Sequence, residues 1–146
     1  QWPGRLEWLA PDVLVDAAHN EEGARALAAS LPALVEARPV TLVTGVVADK
    51  DARAIVAPLL PLCARVITTA PPSPRALPAA ALAALVPAAT AIDEPAAAIA
   101  AARAAAAAEA GVVLLAGSIF LVGEARRVVL GEPADALPVQ DPLKRT

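Results

Sequence analysis

The sequence predicts an α/β fold: a mostly parallel, doubly wound, Rossmann-like sheet with helices on both faces. Three observations lead there. Short apolar runs alternate with longer helical stretches along the 146 residues, the rhythm of successive strand–helix units. The apolar runs, such as "VLV" and "VVLLA", are continuous rather than alternating, as in strands covered on both faces. Each run also ends in a polar or glycine-bearing corner. If the strands are parallel and joined by right-handed crossovers, those corners share one edge, where open α/β sheets bind ligands.

The elements follow in order. Residues 1–10 form the start of the chain, where "RLEWLAP" alternates and suits an extra strand at one sheet edge. Val13–Ala17 is the first central strand, and a helix follows from about Asn20 to Ala37, with Asn20 as N-cap and Glu21 and Glu22 suited to the positive end of its dipole. Val40–Val47 is the next strand, then a helix over "KDARAIVAPLL". Arg65–Ala70 is a third strand, "PPSPR" a loop, and Leu77–Leu85 an alanine-rich helix. Ala88–Ile92 is a short fourth strand. The next helix opens at Pro95, a residue preorganised for a first helical position, and stops at Gly111. Val112–Ala116 is a strand, "GSIFLVGEARRVVL" the last helix, and residues 132–146, with three prolines, an irregular tail. One domain over 1–146 is the expected organisation.

Composition narrows the function classes. The chain is 58% hydrophobic but only 2% aromatic, because alanine dominates and favours helix and close packing. Mean hydropathy is +0.58, yet the longest uncharged stretch, between Arg75 and Asp93, is mostly alanine and holds Pro78 and Pro87. A spanning helix needs about 20 predominantly apolar residues, so the expectation is a soluble protein. A net charge of −3 argues against a broad nucleic-acid surface. The lone Cys63 cannot form an internal disulfide and reads as a small buried hydrophobe. No signal peptide is visible, and the opening "QWPGRLEWL" suggests a piece of a longer chain.

The polar corners are the candidate site. "DAAHN" follows the first central strand, "ADKD" the second, "APPSPR" the third, "DEP" the fourth and "GS" the fifth. Asp16, at the end of a buried strand, needs a partner or a wet cleft. It suits sugar hydroxyls and is a poor phosphate contact, since like charges repel. His19, the only histidine, reads either as a structural residue or as a group facing the cleft. Gly117–Ser118 opens the last helix, either as an anion-holding N-terminus or as a plain Ser N-cap. Arg5, after a Pro-Gly turn, is either a bidentate phosphate donor or a surface residue. Lys50 and Arg75 are undecided between anion contact and solvated charge. Trp2 and Trp8 are expected to pack rather than stack on a base.

Several chemistries have no carrier. There is no GxxxxGK[ST] phosphate loop and no GxGxxG. One histidine and one cysteine cannot build a zinc site, and no GxSxG elbow is present. The chain looks like half of an active site.

Taken together, "WPGRLEWL", "VLVDAAHNEEGARAL", "VTGVVADKDARAI", "PRAL" and "VVLLAGSIFLVGEAR" resemble, in that order, the C-terminal domain of folylpolyglutamate synthase/dihydrofolate synthase, in the Mur ligase superfamily. The resemblance runs from Trp2 to about Arg127. Ala17 stands where the family usually has Gly, and Phe120 where Tyr is common. It implies a cytoplasmic, ATP-dependent ligase that phosphorylates a pteroate or folate carboxylate and joins the resulting acyl phosphate to L-glutamate. It also implies a monomer whose own N-terminal ATPase domain holds the phosphate loop and Mg²⁺, so that this chain alone is inactive. In that resemblance Arg5 and Asp16 contact ATP, at the phosphates and the ribose, while His19 and Ser118 serve glutamate or the acyl phosphate. Another Mur-type amino-acid ligase, or a non-catalytic binding module, are the alternatives.

Overall fold

A computed structural model describes residues 4–132. Its six-stranded sheet runs β1 (Glu7–Ala10), β2 (Val13–Asp16), β6 (Val112–Ala116), β3 (Val40–Thr44), β4 (Arg65–Thr68), β5 (Thr90–Ala91) from edge to edge. β1 is antiparallel to β2, and every other pairing is parallel. The mixed but mostly parallel sheet and the edge strand therefore match expectation. Of the predicted packing aromatics, Trp8 leans on the core with the Arg38 guanidinium 5.2 Å from its ring, and Trp2 lies outside the described residues. So does the tail from residue 133 on.

Helices cover both faces. α1 (Glu21–Val35), α2 (Ala52–Val56) and α3 (Ala79–Ala83) pack Leu27, Leu31, Ile55 and Leu82 against Leu14, Leu42, Val66 and Leu114. α4 (Pro95–Ala107) and α5 (Ile119–Leu130) pack Ile99, Ala102, Leu121 and Ala125 against Val13, Val43, Ile67, Val113 and Leu115 on the other side. β6 lies between the layers with all five residues buried, which is why it reads as an unbroken apolar run. Each fully buried leucine there contributes roughly 1.5–3 kcal/mol. The buried stripe of α4 is mainly alanine, Ala98, Ala102 and Ala106, small enough for the helix to lie close on the sheet.

Two helices are shorter than their composition suggested, and proline explains both. Pro58 has no N–H to continue α2, so the chain tightens into i→i+3 bonds, Leu59 N–H to Val56 and Leu62 N–H to Leu59, through a 3-10 turn at Leu60–Leu62. Pro78 occupies the N-cap of α3, which therefore starts at Ala79 rather than Leu77. Pro32, by contrast, is carried inside the last turn of α1, which ends in a left-handed Glu36. β3 also stops at Thr44 rather than Val47. The ladder to β6 ends there, and Val47 instead bridges Ala76.

Candidate functional site

The chain leaves β2 and β3 towards one face of the sheet and leaves β6 towards the other, because α1 and α2 lie on one side and α5 on the opposite side. Strand ends that diverge in this way open a crevice at the carboxyl edge. By that rule the candidate site lies at the carboxyl edge beside β6, where the corner after β2 and the start of α5 adjoin, and β2 and β6 arrive in register with Asp16 beside Ala116.

Asp16 is 5% exposed. Its Oδ1 accepts the Leu6 N–H at 3.0 Å and its Oδ2 the Ala18 N–H at 2.9 Å. Arg5 brings its Nε to 3.8 Å from Oδ1 while its side chain stays 69% exposed. Burial is the largest influence on the Asp16 carboxyl and pushes its pKa above the ordinary value, against the two backbone N–H groups and the Arg5 charge. The partner that a buried acid requires is thus the turn itself. β1 runs antiparallel, so its beginning reaches the same edge, and this brings Arg5 to Asp16 from eleven positions away in sequence.

His19 is exposed, and its Nδ1 lies 3.0 Å from the Ala17 carbonyl. A carbonyl only accepts, so Nδ1 carries the proton and the neutral ring keeps the lone pair on Nε2. Asn20 accepts the Gly23 N–H at 2.8 Å and is the N-cap of α1. The Gly117 N–H binds the Ala18 carbonyl at 3.0 Å, which ties the two corners together and sets His19 and Ser118 on adjoining loops. Ser118 is 3% exposed and caps α5, its Oγ accepting the Phe120 N–H at 3.1 Å. The cap role is therefore present, and the serine O–H remains as a donor. Phe120, by contrast, is 40% exposed.

Other corners are structural ties. Arg75 pairs with Asp49 at 2.9 Å, and the two loops bond through Ala48 N–H to the Arg75 carbonyl and Leu77 N–H to Val46. Lys50 is exposed beside Asp51, which caps α2 through the Ala54 N–H. Asp93 receives the Ala79 N–H, and Glu94 caps α4 with both oxygens. Cys63, half-buried, has its thiol pushed up to about 12 by burial, as befits a packing residue. Among the described residues, no three His, Cys, Asp or Glu side chains converge as metal ligands, and no helix is long and apolar enough to cross a membrane.

Sequence reasoning missed a second group. Arg126, 11% exposed, pairs with both Glu7 and Glu132. Burial disfavours its charge, but bonds to Glu132 and Glu7 outweigh that and raise its pKa. Glu7 and Arg126 are far apart in sequence, so no spacing announces them. Arg103 and Asp12 likewise form a bidentate pair at 2.9 Å. The Thr44 hydroxyl, buried at the end of β3, has no hydrogen-bond partner among the described residues; in sequence it looks like any strand threonine.

Comparison with known proteins gives a consistent picture. The sequence matches the family described as Mur ligase, glutamate ligase domain, over residues 4–119. A dihydrofolate synthase/folylpolyglutamate synthase of Mycobacterium tuberculosis is 47% identical over 83 residues, 56% of this chain and 17% of that protein. A folylpolyglutamate synthase of Lacticaseibacillus casei is 32% identical over 133 residues, 89% of this chain and 30% of that protein. The solved structure of Mycobacterium tuberculosis folylpolyglutamate synthase complexed with ADP and AMPPCP is similar at a TM-score of 0.84 and 33% identity, covering 91% of this chain and 33% of that one. The chain spans no more than a third of the length of these relatives.

Proposed function

We propose that this chain, which belongs to the Mur ligase family as its glutamate ligase domain, serves an ATP-dependent ligase that joins L-glutamate to dihydropteroate or a (tetrahydro)folate. One observation supports the reading: Arg5 lies 3.8 Å from Asp16, and the loop carrying His19 is tied to the loop carrying Ser118 by the Gly117 N–H to the Ala18 carbonyl, so three separate segments share the carboxyl edge of β2 and β6. The relative solved with ADP and AMPPCP supports an adenine nucleotide as the ligand. The substrate carboxylate oxygen attacks the γ-phosphorus of ATP, the bond to the β-phosphate oxygen breaks, and ADP leaves. The glutamate nitrogen then attacks the acyl-phosphate carbon, the carbon–oxygen bond breaks, phosphate leaves, and nitrogen gives up a proton.

Arg5, exposed and positively charged, suits the phosphates. Asp16 suits the ribose, where its negative charge meets hydroxyls rather than phosphate oxygens. His19 presents Nε2 as a proton acceptor for the incoming amine, and Ser118 offers its O–H to glutamate or the acyl phosphate. This chain supplies neither a phosphate loop nor, among its described residues, a metal-ligand cluster. In this reading both belong to an N-terminal ATPase domain of a longer, cytoplasmic, monomeric protein, and the chain alone is inactive.

The test is ADP release by that longer protein with ATP, Mg²⁺, L-glutamate and either dihydropteroate or tetrahydrofolate. Release that requires glutamate and one acceptor supports the reading and identifies the branch. A folded protein that binds ATP but is silent with both acceptors, yet active on UDP-muramyl substrates, sinks it in favour of another Mur-type ligase. Parent-like turnover and KM in both Asp16→Ala and His19→Ala sink the residue roles.

A further inference from the structure

Arg5 sits in a turn that is held on every side. Its neighbours Gly4 and Leu6 both have positive φ, +79° and +48°, a conformation that costs a leucine strain and persists only when the surroundings impose it. Three contacts do so: the Gly4 carbonyl accepts the Ala17 N–H at 2.6 Å, the Leu6 N–H binds Asp16, and the Gly4 N–H binds Glu7 Oε1 at 2.8 Å. The same Glu7 oxygen receives Arg126 Nη1. Arg126 is in turn clamped by Glu132, through Nε at 3.0 Å and Nη2 at 2.9 Å. A relay therefore runs Glu132–Arg126–Glu7–Gly4 from the far part of α5 to the residue before Arg5. Glu7 is 25% exposed and Arg126 11%, so the central link is shielded from water and screened less than a surface pair.

We propose that Arg126 is a positioning residue for Arg5: through Glu7 it fixes the Gly4–Leu6 turn so that the exposed guanidinium of Arg5 is held over the crevice. The energetic logic is that of preorganisation. A phosphate-binding arginine on a loose turn would lose loop entropy on each binding event, whereas a clamped one has lost it in folding. The inference rests on the reading of Arg5 as an ATP contact, and two readouts separate the failure of each.

The first readout is amide hydrogen exchange in the full-length ligase. In Arg126→Met the Gly4, Leu6 and Ala17 amides should exchange at least about tenfold faster, while Leu114 and Leu115 of β6 keep their protection. The second is kinetic. Arg126→Met should raise the KM for ATP about tenfold with kcat at saturating ATP nearly unchanged, and Arg126→Lys, which keeps a charge for Glu7, should recover part of the loss. In an Arg5→Ala background the same Arg126→Met change should add less than about twofold, because the residue it positions is gone. Should Arg126→Met fold poorly, Glu7→Ala removes the same link at a more exposed position and should give the same pattern. Unchanged exchange of the turn, or full additivity of the Arg5 and Arg126 effects, overturns the proposal. An Arg5→Ala enzyme with the parent's ATP KM overturns the reading of Arg5 itself, whatever Arg126 does.

Discussion

Gly117→Ala offers a sharp test of how the crevice is built. Gly117 has φ +124°, where an L residue is strained by about 1–3 kcal/mol. A Cβ added there would also stand 2.7 Å from the Gly45 carbonyl oxygen and 2.7 Å from Thr44 Oγ1. The Thr44 hydroxyl can rotate aside, but the Gly45 backbone cannot retreat freely. Its own Cβ position is already 2.7 Å from the Thr69 carbonyl oxygen and 2.8 Å from Pro71 Cδ. The ends of β6, β3 and β4 are thus stacked backbone to backbone, and overpacking such a place costs a further ~1–3 kcal/mol. The sum is about 2–6 kcal/mol, and at about 2–4 °C per kcal/mol for a chain of this size the melting temperature should fall by roughly 10 °C. Gly131→Ala is the control: φ is +74° there but nothing lies within 4 Å, so only the backbone cost of about 1–2 kcal/mol applies. Thermal unfolding followed by circular dichroism compares the two variants with the parent. If Gly117→Ala melts no lower than Gly131→Ala, the close stacking of strand ends is wrong. Because the Gly117 N–H also holds the Ala18 carbonyl, the same change should shift the His19 loop against the start of α5 and, on the function proposed above, lower turnover in the full-length protein.

Three further outcomes follow from the geometry. The Cys63 thiol, at about 12, leaves roughly one thiolate in ten thousand near pH 8, against roughly a quarter for an ordinary thiol; iodoacetamide labelling by mass spectrometry should be about a thousandfold slower in the native than in the unfolded chain, and equal rates would refute its burial. Asp16 has a raised pKa, so the native state binds its proton more tightly than the unfolded state, and stability falls as pH rises from the ordinary carboxylate value through the raised one. Relative to Asp16→Asn, the parent should accordingly be more stable at about pH 3 than at about pH 7, and the opposite order of the melting differences would sink that assignment. Asn20→Ala removes the cap on the Gly23 N–H from an exposed site and should cost about 1 kcal/mol, read as a drop of a few degrees in melting temperature; no drop would mean that α1 is held by packing alone.

The fold was legible because the sheet is covered on both faces. β2, β3 and β6 are buried at every position, so they read as apolar runs broken only by Asp16, Thr41 and Thr44, and Asn20, Asp51, Glu94 and Ser118 announce helix starts by the chemistry of their caps. Element length was less legible. The alanines after Pro78 and the leucines around Pro58 have helical propensity beyond the ends of α3 and α2, and a proline's missing N–H decides against propensity only locally. α1 shows the converse, since Pro32 sits within its last turn and the helix continues to Val35, held by the burial of Leu31 and Val35.

The site was legible only as an edge. Five polar corners follow the parallel strands, and nothing in their spacing distinguishes those that could meet a ligand from those that tie the sheet's end together. The distinction arises from strand order, which places β6 between β2 and β3 and sends α5 to the face opposite α1. The corner after β2 is tied to the start of α5 through the Gly117 N–H, whereas Arg75, Asp49 and Asp93 hold loops at the ends of β3, β4 and β5. The same order explains how one residue can serve two purposes. Asp16 is buried because it closes the turn carrying Arg5, and closing that turn is what leaves the Arg5 guanidinium exposed at the crevice. A carboxylate read from sequence as a ligand contact is, by its hydrogen bonds, also the anchor of the turn that carries Arg5. If Arg5 is the nucleotide contact proposed above, removing Asp16 should disturb nucleotide binding through that turn as well as through any contact of its own.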